Sequence, residues 1–500
     1  MSRRSRRILA IDQGTTSTRA VLVDRRGRPG ASARRELPQS YPGPGRVEHD
    51  PERIREDALW ACREAMRRDG VDPTEVAAIG ITNQRETTVL WERSTGRPVH
   101  PALVWQDRRT AETCSRLREQ GHEPGIRRKT GLLLDPYFSA TKLAWLLDHV
   151  DGARAAAERG ELAFGTVDSW LLWNLTGGRA HRTDATNAAR TMLYDIHRGE
   201  WDDELLELFE IPRPVLPEVL DSSARFGETD PELLGRPIPI AGIAGDQHAA
   251  TFGQTAFERG TAKATYGTGA FLLLNTGAEA PDPEGRLLTT VAWQREGEVT
   301  YAVEGSIFSA GSAVQWLRDE LGVIDESAES EELAARARED DGTYMVPAFT
   351  GLGAPHWDAD ARGALVGLSR DSGAEEIARA TLASVAYQTR DLVDAMVGEA
   401  AITPDRLRVD GGLSQNGWAM SFLSDMLDLP VERPAVTETT ALGAAYLAGL
   451  EVGFFGDTDQ LREHWSLDRR WEPEVDAGRR EELLEGWRRA VSRVLTTEGD

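Results

Sequence analysis

The stretch Arg7-Ile-Leu-Ala-Ile-Asp-Gln-Gly-Thr-Thr-Ser-Thr-Arg-Ala-Val-Leu-Val-Asp24 sets the fold of this 500-residue chain. Two short apolar runs, residues 8–11 and 20–23, flank a polar loop. That pattern predicts two buried strands joined by a hairpin turn. Gly14 lets the backbone turn tightly and approach a ligand closely. Thr15, Thr16, Ser17 and Thr18 add hydroxyls and successive N–H groups, which suit phosphate oxygens. Asp12, at the strand end, is placed to hold a hydrated Mg²⁺, and Arg19 at the loop exit can offset anionic charge. An ordinary glycine-containing hairpin carries the same residues, and the polar segments that follow decide between the two.

An apolar strand at 76–82 runs into Asn83-Gln-Arg-Glu-Thr-Thr88. Polar clusters at the strand ends of α/β sheets are where ligands bind. Arg85 offers a fork of donors and Glu86 two acceptor oxygens. The pair suits the neighbouring hydroxyls of a polyol, or a local ion pair at a turn. Trp105 offers a flat wall for a carbon chain or a core side chain. Tyr137 sits on a loop, free to reach a ligand. Residues 164–176 alternate apolar and polar side chains, and 222–240 read as a loop punctuated by Pro231, Gly235, Pro237 and Pro239. Next, Ile238-Pro-Ile-Ala-Gly-Ile-Ala-Gly-Asp-Gln-His248 carries a buried strand into Gly245 and Asp246. An acid between a strand and a helix can be kept ionised by nearby N–H groups, which suits a general base and equally an N-cap.

Near residue 254 the pattern begins again. Ala262-Lys-Ala-Thr-Tyr-Gly-Thr-Gly-Ala-Phe-Leu-Leu-Leu274 is strand, turn, strand, an echo of the opening hairpin. Two such hairpins suggest an internally duplicated α/β fold with a nucleotide between the halves. Residues 304–321 predict a helix carrying Gly311 and Gln315, and 376–397 the clearest amphipathic helix. A strand at 407–410 runs into Gly411-Gly-Leu-Ser-Gln-Asn416, whose glycines let a base or ribose lie against the backbone.

Five hundred residues exceed one core and imply two large domains. A net charge of -24 argues against binding to nucleic acid or to an anionic membrane surface. Two cysteines, Cys62 and Cys114, suggest a reducing compartment without a disulfide framework. The basic head at 1–7 is followed by too short an apolar run for a signal peptide, and no stretch approaches a membrane span. Together these features predict a cytoplasmic protein.

In their order, Asp12-Gln-Gly-Thr-Thr-Ser-Thr-Arg19, Gly80-Ile-Thr-Asn-Gln-Arg-Glu-Thr-Thr88, Trp105-Gln-Asp-Arg-Arg109, Gly245-Asp-Gln247, Tyr266-Gly-Thr-Gly269 and Asp410-Gly-Gly412 resemble the FGGY carbohydrate kinases of the actin-like ATPase superfamily. The resemblance is to the members that act on glycerol, and it spans essentially the whole chain. It implies two ribonuclease H-like α/β domains, 1–253 and 254–500, each a mixed sheet flanked by helices, with the active site in the cleft between them. It implies ATP-dependent phosphorylation of glycerol to sn-glycerol 3-phosphate, with Mg²⁺ and with Asp246 as general base. Arg85, Glu86, Tyr137, Asp246 and Gln247 would bind the hydroxyls, and Trp105 and Phe271 would cover the carbon backbone. Thr15, Thr16, Ser17 and Arg19 would hold the ATP phosphates, with Asp12 and Asp246 near Mg²⁺. Thr268, Gly311, Gln315, Gly412 and Asn416 would complete the nucleotide site. A homo-oligomer, dimer or tetramer, is the implied assembly. The region Asp230-Pro-Glu-Leu-Leu-Gly-Arg236 lacks the glycine run and the histidine of regulated members, which implies that those controls are absent. The rivals are an FGGY kinase for another small polyol or ketose, and a non-catalytic ATP-binding regulator on the same fold.

Overall fold

The opening hairpin forms as its apolar runs predict. In the computed structural model, which describes residues 6–282, 285–338, 341–358 and 360–496, β1 (Arg7–Gln13) and β2 (Ser17–Val23) pair antiparallel, with Asp12 opposite Arg19. Residues 1–5 of the basic head lie outside the described residues. Strand β3 (Pro29–Glu36) extends the meander. Strands β4 (Val76–Asn83) and β6 (Pro239–Gly245) run parallel to β1, and β5 (Ser223–Glu228) closes the edge. The order is β5-β6-β4-β1-β2-β3.

A second sheet repeats this plan. Strands β7 (Ala262–Tyr266), β8 (Ala270–Gly277) and β10 (Glu298–Ile307) form an antiparallel meander flanked by β9 (Leu288–Arg295). Beside β7, β11 (Leu407–Asp410) and β12 (Val431–Pro434) run parallel, with β13 (Leu467–Trp471) at the edge. Strand for strand, β3-β2-β1-β4-β6 corresponds to β10-β8-β7-β11-β12. The echo between the two hairpins therefore reflects a duplicated topology, two α/β units each built on a mixed sheet flanked by helices.

Helices cover both faces. Helix α1 (Pro51–Asp69) starts where Asp50 caps the Glu52 amide and Pro51 fits the first turn, and it ends at Gly70 with φ 63°. With α2 (Val167–Leu175) it buries Leu9, Ile11, Ile79, Ile81 and Ile243 of the first sheet. The further helices that shape the site are α3 (Asp246–Gly253), α4 (Gly311–Asp319), α5 (Ala374–Ala400), α6 (Gly417–Leu427) and α7 (Thr439–Glu451). The opposite face of the first sheet, with Ile8, Ala10, Ala78 and Ala241, packs on Ala441, Ala444, Ala445 and Ala448 of α7. Conversely, α3 contacts β7, β8 and β9 of the second sheet. The two helices cross on glycine: a Cβ on Gly443 would overlap the Ala249 carbonyl, and one on Gly253 the Thr439 carbonyl. Each half thus lends a helix to the other. Among the described residues no helix is long and apolar enough to cross a membrane.

Three segments differ from expectation. Residues 223–228 form an edge strand inside the punctuated stretch, because their backbone finds a partner in β6. Residues 167–175 are helix, buried almost all round, so no polar face betrays the helical period. The helix expected over 304–321 begins only at Gly311, and Glu304 lies in β10, paired on both sides.

Candidate active site

Strands β1, β4 and β6 end together. Asp12 and Ala244 both lie opposite Thr82, and Gln13 and Gly245 both lie opposite Asn83. At about 4.8 Å between strands, the polar segments that follow share one floor. Asn83 and Asn187 exchange side-chain amide hydrogen bonds of 2.9 and 3.1 Å, which brings the segment ending at Arg190 alongside. The Gly245 amide donates to Thr186 Oγ1 at 3.0 Å, fixing the backbone just before Asp246.

Five charged side chains meet there. Arg85 Nη1 and Nη2 donate to Glu304 Oε2 and Oε1 at 2.5 and 2.9 Å. Its Nε lies 3.2 Å from Asp246 Oδ1 and 3.9 Å from Glu86 Oε1. Arg190 Nε donates to Glu86 Oε1 at 2.7 Å, and its Nη2 to Glu304 Oε1 at 3.0 Å. Arg85, Glu86, Arg190 and Glu304 are at most 3% exposed. Burying such charges is strongly unfavourable unless they pair, and here two guanidiniums face two fully buried carboxylates. Burial opposes the charge on Glu304, but Arg190 and Arg85 outweigh it and hold its carboxyl low.

Asp246 differs from its neighbours. Its side chain keeps 28% exposure. The Gln247 amide donates to Oδ1 at 2.7 Å, while among the described residues no donor reaches Oδ2. Burial pushes its carboxyl up to about 6; Arg85 pulls it down and Glu86 pushes it further up. A carboxylate poised near the working pH, with one oxygen open, has the properties of a general base.

Aromatic rings wall the space beside it. Trp105 lies 5.5 Å from Tyr137 and 6.4 Å from Phe271 between ring centroids, and the Arg85 guanidinium sits 5.7 Å over Phe271. Trp105 Nε1 donates to Thr15 Oγ1 at 2.9 Å, tying this wall to the first hairpin loop. Lys142 supports Tyr137 from behind, donating to the carbonyls of Pro136, Tyr137 and Phe138 at 2.9, 2.6 and 2.9 Å. Three carbonyls converging on one point suit a compact ammonium rather than a planar guanidinium. Burial lowers the Lys142 amine to about 8. Gln247 is buried, and its Oε1 accepts from Lys263 Nζ at 2.9 Å.

In the hairpin loop the Gly14 amide donates to the Ser17 carbonyl at 2.9 Å, with Thr16 exposed and Thr15 and Ser17 half-buried. Arg19 Nη2 donates to Asp12 Oδ2 at 2.7 Å, and its Nη1 is bonded to Glu438, just before α7. At the second hairpin the Gly311 amide donates to the Gly267 carbonyl at 2.9 Å, and the Ala310 and Ser312 amides donate to the Thr268 carbonyl at 3.0 Å. Gln315 is exposed on α4. Gly412 and Asn416 follow β11, where Gly411 (φ 86°) lies against the Tyr266 backbone. Asn416 is committed locally: Oδ1 accepts from the Ala419 amide at 2.9 Å, and Nδ2 donates to Ser330 Oγ at 3.2 Å. The expected residues therefore form two groups, Asp12 to Phe271 around Asp246, and Thr268, Gly311, Gln315, Gly412 and Asn416 around the second hairpin.

Arg190, Glu304, Lys142 and Lys263 complete the first group without having been singled out in the sequence. Glu304 is a lone acid in an otherwise uncharged run, 299–307, and two of only three lysines in 500 residues lie buried here. Among the described residues no cluster of three or more His, Cys, Asp or Glu could hold a metal by itself. Asp12 and Asp246, each paired with an arginine through one oxygen, keep a second hard oxygen donor apiece, which suits Mg²⁺ retaining water and phosphate oxygens.

Comparison with known proteins agrees with this geometry. The FGGY family of carbohydrate kinases, N-terminal domain, matches residues 7–253, and the C-terminal domain of that family matches residues 262–452. A glycerol kinase of Methylobacterium nodulans is 59% identical over 98% of both chains. Glycerol kinase 1 of Pseudomonas aeruginosa is 58% identical over 97% of this chain and 98% of its own. A crystal structure of Plasmodium falciparum glycerol kinase with ADP superimposes with a TM-score of 0.93 at 35% identity, covering 99% of each chain. With both domains matched in order and along nearly its full length, this chain belongs to the FGGY family of carbohydrate kinases.

Proposed function

We propose that this protein transfers the γ-phosphoryl group of ATP to a terminal hydroxyl of glycerol, giving sn-glycerol 3-phosphate and ADP, with Asp246 as general base. The observation that carries the reading is the asymmetry of Asp246, one oxygen held by Arg85 and the Gln247 amide, the other open beside the aromatic wall. The names of the full-length relatives support glycerol over another polyol or ketose.

In the proposed reaction the glycerol oxygen attacks the γ-phosphorus, the bond to the β–γ bridging oxygen breaks, and the hydroxyl proton passes to Asp246 Oδ2. Phosphoryl transfer depends on in-line positioning and charge neutralisation more than on covalent chemistry. Arg85, Glu86, Tyr137 and Gln247 hold the hydroxyls, and Trp105 and Phe271 cover the carbon chain. A small polyol offers little apolar area, so selectivity rests on hydrogen bonds, and an analogue lacking one hydroxyl leaves a buried polar group unpaired. Thr15, Thr16, Ser17 and Arg19 receive phosphate oxygens. Thr268, Gly311, Gln315, Gly412 and Asn416 form the nucleotide side. Mg²⁺, held by Asp12 and Asp246, would supply positive charge against the phosphates when bound. Division into 1–253 and 254–500, a homo-oligomer and a cytoplasmic location belong to the same proposal.

Asp246→Asn keeps the size of the side chain and removes its basicity. Turnover should fall by about 10²-fold or more while ATP binding, measured by calorimetry, stays within about threefold. Turnover close to that of the parent enzyme would remove Asp246 from the role of base.

A further inference from the structure

Glu304 belongs to none of the motifs that point to polyol or nucleotide, yet it makes more contacts to the buried guanidiniums than any other acid. It comes from β10, in the second half of the chain. There it lies opposite Leu273 on one side and Leu288 on the other. Strand alternation puts it on the face of Ala302. Ala302 and Leu273 pack with Ile8, Ala10 and α7, whereas Val303 and Ile307 face the second half's own core. Glu304 is thus an acid of the second sheet that is turned toward the first.

Its three hydrogen bonds settle what the arginines are free to do. Both Nη groups of Arg85 are engaged by Glu304, so only Nε faces Asp246. An Arg85 released from Glu304 could turn its fork onto Asp246 and take both carboxylate oxygens, including the open one. Arg190 is divided between Glu304 and Glu86, which fixes Glu86 as well. We propose that Glu304 is a positioning residue for the polyol site, setting Arg85 and Arg190 across the junction of the two halves so that the site is complete only when the halves are together. The inference rests on the reading of Arg85, Glu86 and Asp246 as the polyol site.

The test compares the parent enzyme with Glu304→Gln and Glu304→Asp, measuring KM for glycerol, KM for ATP and kcat. Glu304→Gln should raise KM for glycerol about tenfold or more and keep KM for ATP within about twofold. Glu304→Asp keeps the charge but is one methylene too short to span both guanidiniums, so KM for glycerol should be raised there as well. A purely structural role would lower the folded fraction without splitting the two KM values. Equal changes in both KM values, or a parent-like KM for glycerol in Glu304→Gln, would overturn the proposal. If Glu304→Gln does not fold, an unchanged KM for glycerol in folded Glu304→Asp would overturn it. A parent enzyme that prefers another polyol would refute glycerol alone, and the same comparison would then be made with that polyol.

Discussion

Asp246 and Arg85 show how a single side chain is tuned by its neighbours. Oδ1 of Asp246 accepts from the Gln247 amide and pairs with Arg85 Nε, and no donor reaches Oδ2 among the described residues, so the carboxylate is both oriented and available. If Asp246 is the base, as proposed, it must be ionised, and protonation near its elevated value of about 6 should remove activity from below. The profile of kcat/KM for the polyol should therefore fall as pH drops through about 6, and should rise to a plateau above it. A limb near the ordinary carboxylate range, about 4, would show that burial does not set the base in the working enzyme. Asp246, Arg85 and Glu86 were legible in the sequence because each follows an apolar strand end, where a polar residue stands out. Glu304 and Arg190 were not. Their role depends on which strand face meets the other half of the chain, and a linear pattern does not carry that information.

The elements show the same division. Hairpins and parallel strands were legible because their apolar runs are short and are stopped by glycine or a charge. Residues 167–175 were not, since a helix buried almost all round has no polar side to reveal its period. The crossing of α3 and α7 is the feature of the elements most open to test. On an exposed helix Gly→Ala stabilises by roughly 1 kcal/mol. At Gly443 the added methyl would overlap the Ala249 carbonyl, backbone that cannot rotate away. Gly443→Ala should therefore destabilise the protein by about 1–3 kcal/mol in chemical denaturation, the opposite sign from helix propensity. A variant as stable as its parent, or more so, would mean that the two helices are not held at this separation.

At the scale of the whole molecule, duplication and charge explain why the site lies where it does. Two copies of one sheet topology, each lending a helix to the other, pack together through α3 and α7. Lys263 and Glu304 reach from the second copy to Gln247, Arg85 and Arg190 of the first. With a net charge of -24, the protein's overall field repels phosphates, so the proposed reaction relies on local N–H groups and on Arg19 to capture them. All three lysines are already engaged, Lys129 with Asp202 and Glu204, the other two at the site. The measurement that bears most directly on this account is Mg·ATP-dependent ADP release with glycerol, dihydroxyacetone, xylulose, erythritol, gluconate and no acceptor. The account predicts strong preference for glycerol and little release without an acceptor, because the same residues bind the hydroxyls and exclude water. Preference for a larger sugar, or ADP release independent of any acceptor, would contradict it.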